Sequence, residues 1–287
     1  MCSNRLLLAM ILLVSYPAAA DDDITIDPDV VYGHKDGLAL TFDVLRPAEP
    51  SGAVVLALQS GGWYSYYTTP ENRIERSRPL LDEGITVLIV RHGSAPVYAV
   101  PDAVADVRRC VRYVRMHADE LGSDPQRLGV QGGSAGGHLT LMLATTGDEG
   151  DPQAEDPVLR HSSRITCGVA YYPPSDLRGW TTEPPEAIAR IELLKPPLSF
   201  DAELEDDVSP ILHVTADDAP VLMIHGDQDM LVPVSHSRDI LPKFEKVGVA
   251  SELVVVAGAK HGYSDEENRT TVVPAMVNWF RRHLAQD

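Results

Sequence analysis

Short apolar runs alternate with helix-length segments along most of this chain. From residue 85 onward the apolar runs cover residues 85–90, 128–131, 165–171, 221–225 and 251–256. Segments with a helical spacing of apolar residues lie between or after them, at about 102–121, 134–145, 235–246 and 271–284. Apolar strands joined by helices are typical of a parallel sheet covered by helices on both faces. The chain is therefore predicted to have an α/β fold.

Residues 24–58 have a different pattern. Three strand-like runs, at 24–32, 38–45 and 53–58, are separated only by short polar segments rich in glycine and proline. Connections this short are typical of neighbouring antiparallel strands. We therefore predict a mostly parallel central sheet of about eight strands with an antiparallel start.

The segment 173–220 interrupts the alternation of strands and helices. It holds three pairs of adjacent prolines and an acidic run at 203–207. It is too short and too polar to bury a core of its own. We predict that residues 21–287 form a single domain, in which about 173–220 is an excursion over the active-site edge of the sheet.

The first twenty residues read as a signal peptide. Arg5 precedes an apolar run at 6–14, and Ala18-Ala19-Ala20 offers a small-residue cleavage site before an acidic stretch. Nine apolar residues are about half of what a bilayer core requires, which argues against a membrane anchor. We predict that residues 1–20 are cleaved, that the protein is secreted or periplasmic, and that it has no membrane association afterwards.

The net charge argues against one class of partner, and the positions of the cysteines argue against a disulfide. The 24 Lys and Arg against 42 Asp and Glu give a net charge of −18, which would repel phosphate backbones, so nucleic acid is not expected as a partner. Cys110 and Cys167 lie in apolar elements, where two buried free thiols are favoured over one disulfide. The oligomeric state is left open.

The segment 128–139 holds the most informative motif. Gly132, Ser134 and Gly136 form a G-x-S-x-G pattern between an apolar run and a helix-forming segment. A turn this tight lifts the serine oxygen clear of the sheet, and neighbouring backbone comes so close that only glycine fits. Ser134 is the predicted nucleophile.

A serine nucleophile requires a base, and the base requires an acid. Asp229 follows the apolar run 221–225, and His261 follows the run 251–256, so both are expected at the carboxyl edge of the sheet, as Ser134 is. Asp227 is the alternative acid, or else it positions the loop of His261. The pattern His225-x-Asp227-x-Asp229 resembles a metal cluster only superficially, and no metal site is predicted.

The order Ser134, Asp229, His261 along the chain is the order expected of an α/β-hydrolase. With these residues and motifs, the chain resembles an α/β-hydrolase of the esterase kind. The chain is similar to secreted acetyl-xylan and feruloyl esterases and to hormone-sensitive-lipase-like carboxylesterases, over essentially its whole mature length. The resemblance implies the α/β-hydrolase fold and an acyl-enzyme mechanism, with Ser134 as nucleophile, His261 as base and Asp229 as acid. It implies no cofactor and no metal.

The chain departs from these esterases in the loop expected to bind the oxyanion. Where they carry His-Gly-Gly-Gly before Trp, this chain has Gln59-Ser60-Gly61-Gly62-Trp63. The resemblance makes the amides of Gly61, Gly62 and Ala135 the candidate oxyanion donors. Trp63 and Tyr64 are candidate substrate contacts, and His138 is interpreted as a packed, hydrogen-bonded residue.

The function predicted from the sequence is a serine carboxylesterase that hydrolyses short-chain acyl esters, with acetyl or feruloyl groups on carbohydrate as candidate substrates. The substrate is a small-molecule or carbohydrate ester. If the acidic residues Glu203, Glu205, Asp206 and Asp207 face the cleft, they would disfavour anionic substrates. The alternatives are a catalytically silent exported α/β-hydrolase that binds a ligand, and a lipase or peptidase of the same fold.

Overall fold

The apolar runs form the strands of one eight-stranded sheet in a computed structural model that describes residues 23–285. The predicted signal peptide lies outside the described residues. The strands are β1 (Ile24–Lys35), β2 (Leu38–Pro47), β3 (Val54–Leu58), β4 (Thr86–Val90), β5 (Leu128–Gly133), β6 (Cys167–Tyr171), β7 (Val221–Gly226) and β8 (Ser251–Val256). Their order across the sheet is β1-β2-β4-β3-β5-β6-β7-β8.

The sheet begins antiparallel and continues parallel. The β1–β2 and β2–β4 pairs are antiparallel, and every later pair is parallel. One detail differs from the sequence pattern: β3 follows β2 after a short connection, yet it lies between β4 and β5 and pairs with both of them in parallel. Strand β4 returns from its own crossover and takes the place beside β2.

The helices cover both faces of the sheet. They are α1 (Glu71–Leu81), α2 (Val100–Met116), α3 (Ala118–Leu121), α4 (Ala135–Thr145), α5 (Glu186–Ala189), α6 (Ser235–Val247), α7 (Asp265–Glu267) and α8 (Val273–His283). A π-helical turn, Asn268–Val272, precedes α8, and 3₁₀ turns span Pro157–Arg160, Glu192–Leu194, Ala202–Leu204 and Pro210–Leu212. The helix predicted at 102–121 is divided at His117 into α2 and α3.

Two apolar clusters lie on opposite faces of the sheet. One gathers buried side chains of α2, α4 and α6, such as Val107, Leu139 and Phe244. The other gathers those of α1 and α8, including Leu80 and Trp279. Because β5, β7 and β8 are parallel, the residues that follow them meet at the same edge of the sheet.

The excursion at 173–220 packs against the larger cluster. Its buried residues Leu177, Trp180 and Ile188 belong to that cluster. Cys110 and Cys167 are both buried and both free. Within residues 23–285 no helix combines the length and the hydropathy that a membrane span requires.

Candidate active site

Ser134 occupies a strained turn between β5 and α4. Its φ of 54° and ψ of −119° lie where a residue with a side chain costs about 1–3 kcal/mol. A Cβ atom on Gly132 would lie 2.5 Å from the backbone carbonyl of Gly136, so the turn requires glycine there. The Ser134 amide donates to the carbonyl of Tyr171 on β6 at 2.9 Å. The turn is thus fixed to the neighbouring strand.

The structure brings Ser134, His261 and Asp229 into one hydrogen-bonded chain. His261 Nε2 lies 2.8 Å from Ser134 Oγ, and His261 Nδ1 lies 2.7 Å from Asp229 Oδ2. With the Nδ1 proton donated to the carboxylate, Nε2 is free to accept the serine proton. This is the arrangement in which a histidine activates a hydroxyl for attack.

Asp229 is held as a carboxylate by its surroundings. Its Oδ1 accepts the backbone amides of Leu231 and Val232 at 2.9 and 3.0 Å, and His225 Nε2 lies 3.4 Å from Oδ2. Burial alone would raise the pKa of Asp229, but hydrogen bonds from His225, His261 and the Val232 amide outweigh it and hold the pKa well below its usual range. The charge therefore persists beside His261 at neutral pH.

Asp227 has a different position from Asp229. Its Oδ1 accepts the amide of Gly258 at 2.7 Å, which ties the loop before His261 to the end of β7. His225 is fully buried and bonds to the Ser237 hydroxyl and the Val232 carbonyl. Over the described range no group of three or more His, Cys, Asp or Glu side chains could hold a metal ion.

Tyr172 is a site residue that the sequence prediction missed. Its ring centroid lies 4.6 Å from that of His261, and its φ of 38° turns the chain sharply after β6. Tyr263 packs beside it at 5.4 Å and donates its hydroxyl to the carbonyl of Ile224. The sequence feature that could have identified Tyr172 is its position directly after an apolar strand, which places it at the same edge of the sheet as the other site residues.

The segment expected to bind the oxyanion is a two-residue hairpin. Gly61 and Tyr64 exchange backbone hydrogen bonds of 3.0 Å each, and Gly62 and Trp63 between them have φ of 56° and 58°. Two successive positive φ values are those of a type I′ turn. A Cβ atom on Gly62 would also lie 2.5 Å from Leu194 Cδ2.

This hairpin corrects the predicted set of oxyanion donors. The Gly61 amide already donates to the Tyr64 carbonyl, so the assignment of Gly61 as a donor is wrong. The amides of Gly62, Trp63 and Ala135 have no hydrogen-bond partner among residues 23–285. Gly62 and Trp63 line the same cavity as Ser134, and Ala135 follows Ser134 at the start of α4. The Trp63 amide is a candidate that the sequence prediction omitted.

The two predicted substrate contacts have separate locations. Trp63 lines the cavity beside Ser134, and Tyr64 does not. Trp63 is buried, and its Nε1 donates to His138 Nδ1 at 3.2 Å, while His138 Nε2 donates to the Val208 carbonyl at 2.7 Å. Burial lowers the pKa of His138 to about 4, against the opposing effect of the Val208 bond. His138 is therefore a neutral packing residue that anchors Trp63 to the excursion.

An apolar cavity of about 150 Å³ opens beside Ser134. Apart from Ser134 its walls are glycine and apolar side chains: Gly61, Gly62, Trp63, Pro174, Trp180, Ile188, Ile191, Leu193, Leu194, Leu231 and Val232. Six of these eleven residues belong to the excursion. None of its predicted acidic residues lines the cavity, and Glu205 is buried, where it accepts the Gly179 and Thr181 amides. The condition under which the acidic run would disfavour anionic substrates is therefore not met at this cavity.

A family model described as BD-FAE matches residues 42–244, well over half of the chain. The chain belongs to the BD-FAE family. The matched range contains the turn of Ser134 and the loop of Asp229, and His261 lies beyond its end.

Two curated relatives of this BD-FAE chain are named for ester hydrolysis. The probable carboxylic ester hydrolase LipM of Mycobacterium tuberculosis is 28% identical over 236 residues, which cover 78% of this chain and 53% of LipM. The ethyl acetate hydrolase of Pseudomonas putida is 27% identical over 252 residues, which cover 80% of this chain and 73% of that enzyme. The chain spans about half the length of LipM.

A solved structure matches nearly the whole described fold. The apo form of Thermogutta terrifontis esterase 2 aligns with a TM-score of 0.73 and 25% identity, over 92% of this chain and 97% of the esterase. Together with the strand order, this match confirms the α/β-hydrolase fold predicted from the sequence, and the relatives confirm the resemblance to esterases.

Proposed function

We propose that this protein is a serine carboxylesterase that hydrolyses short-chain acyl esters through an acyl-enzyme. The observation that carries the proposal is the hydrogen-bonded chain from Asp229 through His261 to Ser134, which ends at the wall of an apolar cavity. The names of LipM and of the ethyl acetate hydrolase support the same reaction class.

The first half of the reaction forms the acyl-enzyme. Ser134 Oγ attacks the ester carbonyl carbon while its proton passes to His261 Nε2, and the imidazolium is stabilised by Asp229. The carbonyl oxygen becomes negatively charged and accepts hydrogen bonds from backbone amides, for which Gly62, Trp63 and Ala135 are the candidates. His261 then gives its proton to the alcohol oxygen as the bond from the acyl carbon to that oxygen breaks.

The second half releases the acid. Water takes the place of the alcohol, His261 Nε2 accepts one of its protons, and the hydroxide formed attacks the acyl carbon. The bond to Ser134 Oγ breaks, and the proton on His261 returns to the serine. Each amide that is aligned with the oxyanion contributes about 2.7–4 kcal/mol to the stabilisation of both transition states.

The apolar cavity is the acyl site in this proposal. The leaving alcohol must lie within reach of His261 Nε2, and His261 is not among the residues that line the cavity. The acyl group, on the other side of the carbonyl carbon, then enters the cavity. Because no charged side chain lines it, an uncharged acyl group is required.

The size of the cavity limits the acyl chain. An apolar cavity of about 150 Å³ accommodates a molecule the size of benzene. A series of p-nitrophenyl esters is therefore expected to give its highest kcat/KM at about two to four acyl carbons and to fall beyond about six. A maximum at about eight carbons or longer would contradict the acyl-site assignment and favour a lipase.

A variant of the cavity wall sharpens this prediction. Ile188 is buried and lines the cavity, so Ile188→Ala is expected to move the maximum toward longer chains by about two carbons. Leu198 is buried on the same excursion but does not line the cavity, so Leu198→Ala is the matched control. The control is expected to keep the wild-type profile, and an equal shift in both variants would contradict the assignment.

Acetyl groups on carbohydrate are the proposed natural substrates. An acetyl group fits the cavity with room to spare, and the name of the Pseudomonas putida relative supports acetate release. The measurement is acetate release from acetylated xylan, compared with ferulate release from a feruloylated arabinoxylan. A protein that binds these esters but hydrolyses none would instead support the catalytically silent alternative, and cleavage of a peptide anilide alone would support a peptidase.

Export is part of the proposal. It is supported by the charged start at Arg5, the apolar run at 6–14 and the three alanines at 18–20. When the full chain is expressed in a bacterium, the exported protein is expected to begin at Asp21, as determined by N-terminal sequencing. Protein that stays in the cytoplasm with Met1 or Cys2 at its start would contradict this prediction.

A further inference from the structure

Gln59 does not brace the hairpin that carries Gly62. Its backbone amide donates to the Val90 carbonyl at 2.9 Å, which continues the pairing of β3 with β4. Its side chain is buried, and Oε1 has no hydrogen-bond partner in the described part of the chain. The side-chain Oε1 of Gln59 therefore contributes no hydrogen bond to the hairpin.

The next residue, Ser60, does form a side-chain hydrogen bond. Ser60 Oγ lies 2.8 Å from His92 Nε2, and His92 Nδ1 lies 2.7 Å from the Gly93 carbonyl. A carbonyl only accepts, so the Nδ1 proton is donated to Gly93, and Nε2 is left to accept the Ser60 hydroxyl proton. Both residues are buried, with 7% and 5% of their surfaces exposed, so solvent has little access to this hydrogen bond.

His92 is itself fixed to several elements. Its amide donates to Ser65 Oγ at 3.2 Å, just after the hairpin. The following amide, of Gly93, donates to Asp106 Oδ2 at 2.8 Å on α2, and Asp106 also binds Lys35. The backbone of residues 92 and 93 is therefore tied both to the end of the hairpin and to α2.

Ser60 connects His92 to the nucleophile turn. A Cβ atom on Gly136 would lie 3.6 Å from the Ser60 carbonyl, so the backbone of Ser60 packs against the turn that holds Ser134. The hairpin with Gly62 begins at the next residue. A displacement of Ser60 would therefore move the Gly62 amide relative to Ser134.

We propose that His92 is a positioning residue, which holds the hairpin through Ser60 so that the Gly62 amide faces the oxyanion. The inference rests on the proposed esterase function. It assigns to a residue just after β4 a support for the start of the hairpin, in addition to the Gly61–Tyr64 pairing and the bond from Trp63 to His138. A misplacement of about 1 Å in such a site lowers the rate by about a hundredfold.

Ser60→Ala tests the contact with the smallest change, because it removes one oxygen. For a p-nitrophenyl ester of short chain, kcat is expected to fall by about tenfold to a hundredfold, with KM changed by less than about threefold. His92→Phe is expected to lower kcat by the same factor. The kcat of the double variant is expected to be no lower than that of either single variant, because both substitutions remove the same contact.

Two further variants separate positioning from folding. A glutamine at 92 extends far enough to present its amide near the place of Nε2, whereas an asparagine does not. His92→Gln is therefore expected to keep kcat within about fivefold of the wild type, and His92→Asn to resemble His92→Phe. His117→Phe is the matched control, since His117 ends α2 at the opposite edge of the sheet, and it is expected to keep wild-type kcat.

Binding of a trifluoromethyl ketone gives a readout that a general loss of stability would not move. This inhibitor adds to Ser134 and places an alkoxide where the oxyanion forms. Its Ki is expected to rise by the same factor as kcat/KM falls across the variants. Wild-type kcat and Ki in Ser60→Ala, or equal losses in His92→Gln and His92→Asn, would overturn the inference. Absence of ester turnover in the wild type would instead overturn the proposed function.

Discussion

Ser134→Ala is expected to lower the kcat of ester hydrolysis by at least about 10⁴-fold. The substitution removes the only hydroxyl within hydrogen-bond distance of His261 Nε2 in the described residues. His261→Ala is expected to fall equally far, and the double variant no further, because the members of such a unit act together. The measurement is kcat for a short p-nitrophenyl ester with each of the three variants.

Stability distinguishes a lost nucleophile from a lost fold. Among residues 23–285 the Ser134 side chain bonds only to His261, so alanine in its place is expected to leave the melting temperature within a few degrees of the wild type. A folded Ser134→Ala protein with near-normal kcat would remove Ser134 from the mechanism. An additive loss in the double variant would contradict the linked roles of Ser134 and His261.

Asp229→Asn is expected to lower kcat by about 10⁴-fold. The Leu231 and Val232 amides hold Oδ1, so the oxygen of the asparagine stays there and its NH₂ group faces His261 Nδ1. Nδ1 must then accept a hydrogen bond, which puts the imidazole proton on Nε2. In that tautomer His261 cannot accept the proton of Ser134.

Asp227→Asn is the matched comparison for this prediction. Its Oδ1 accepts the Gly258 amide, and the oxygen of an asparagine can do the same, so kcat is expected to change by less than about threefold. Measured kcat values with the same ester for both variants decide the assignment. If Asp227→Asn lost most of its kcat and Asp229→Asn kept it, the roles of the two carboxylates would be reversed.

Local pattern was enough to predict the elements that hold Ser134 and His261. The G-x-S-x-G motif requires a specific turn, and the apolar runs before Ser134 and His261 became β5 and β8 within two residues. Helix α1 was not predicted, because its sequence is polar and contains Pro79. Leu80 and Leu81 stabilise it by packing against the sheet, which is a tertiary effect.

The sequence motif was not enough to predict which backbone amides are free to bind the oxyanion. Glycines at 61 and 62 were expected to act alike, but the exchange of hydrogen bonds between Gly61 and Tyr64 uses one amide and leaves the other unpaired. Which amide is used depends on the type I′ geometry of this hairpin. Residue types alone do not determine that geometry.

The sequence by itself determined the succession of the strands and of the long helices after β4, the strained turn of Ser134 and the chain order of its partners. These features depend on periodicity and on local backbone sterics. Tertiary structure alone decided that β3 enters the sheet between β4 and β5, that the excursion forms an apolar wall, and that His92 meets Ser60 across 32 residues. These contacts join segments distant along the chain, and strand pairing and side-chain packing select them only when the whole sheet has formed.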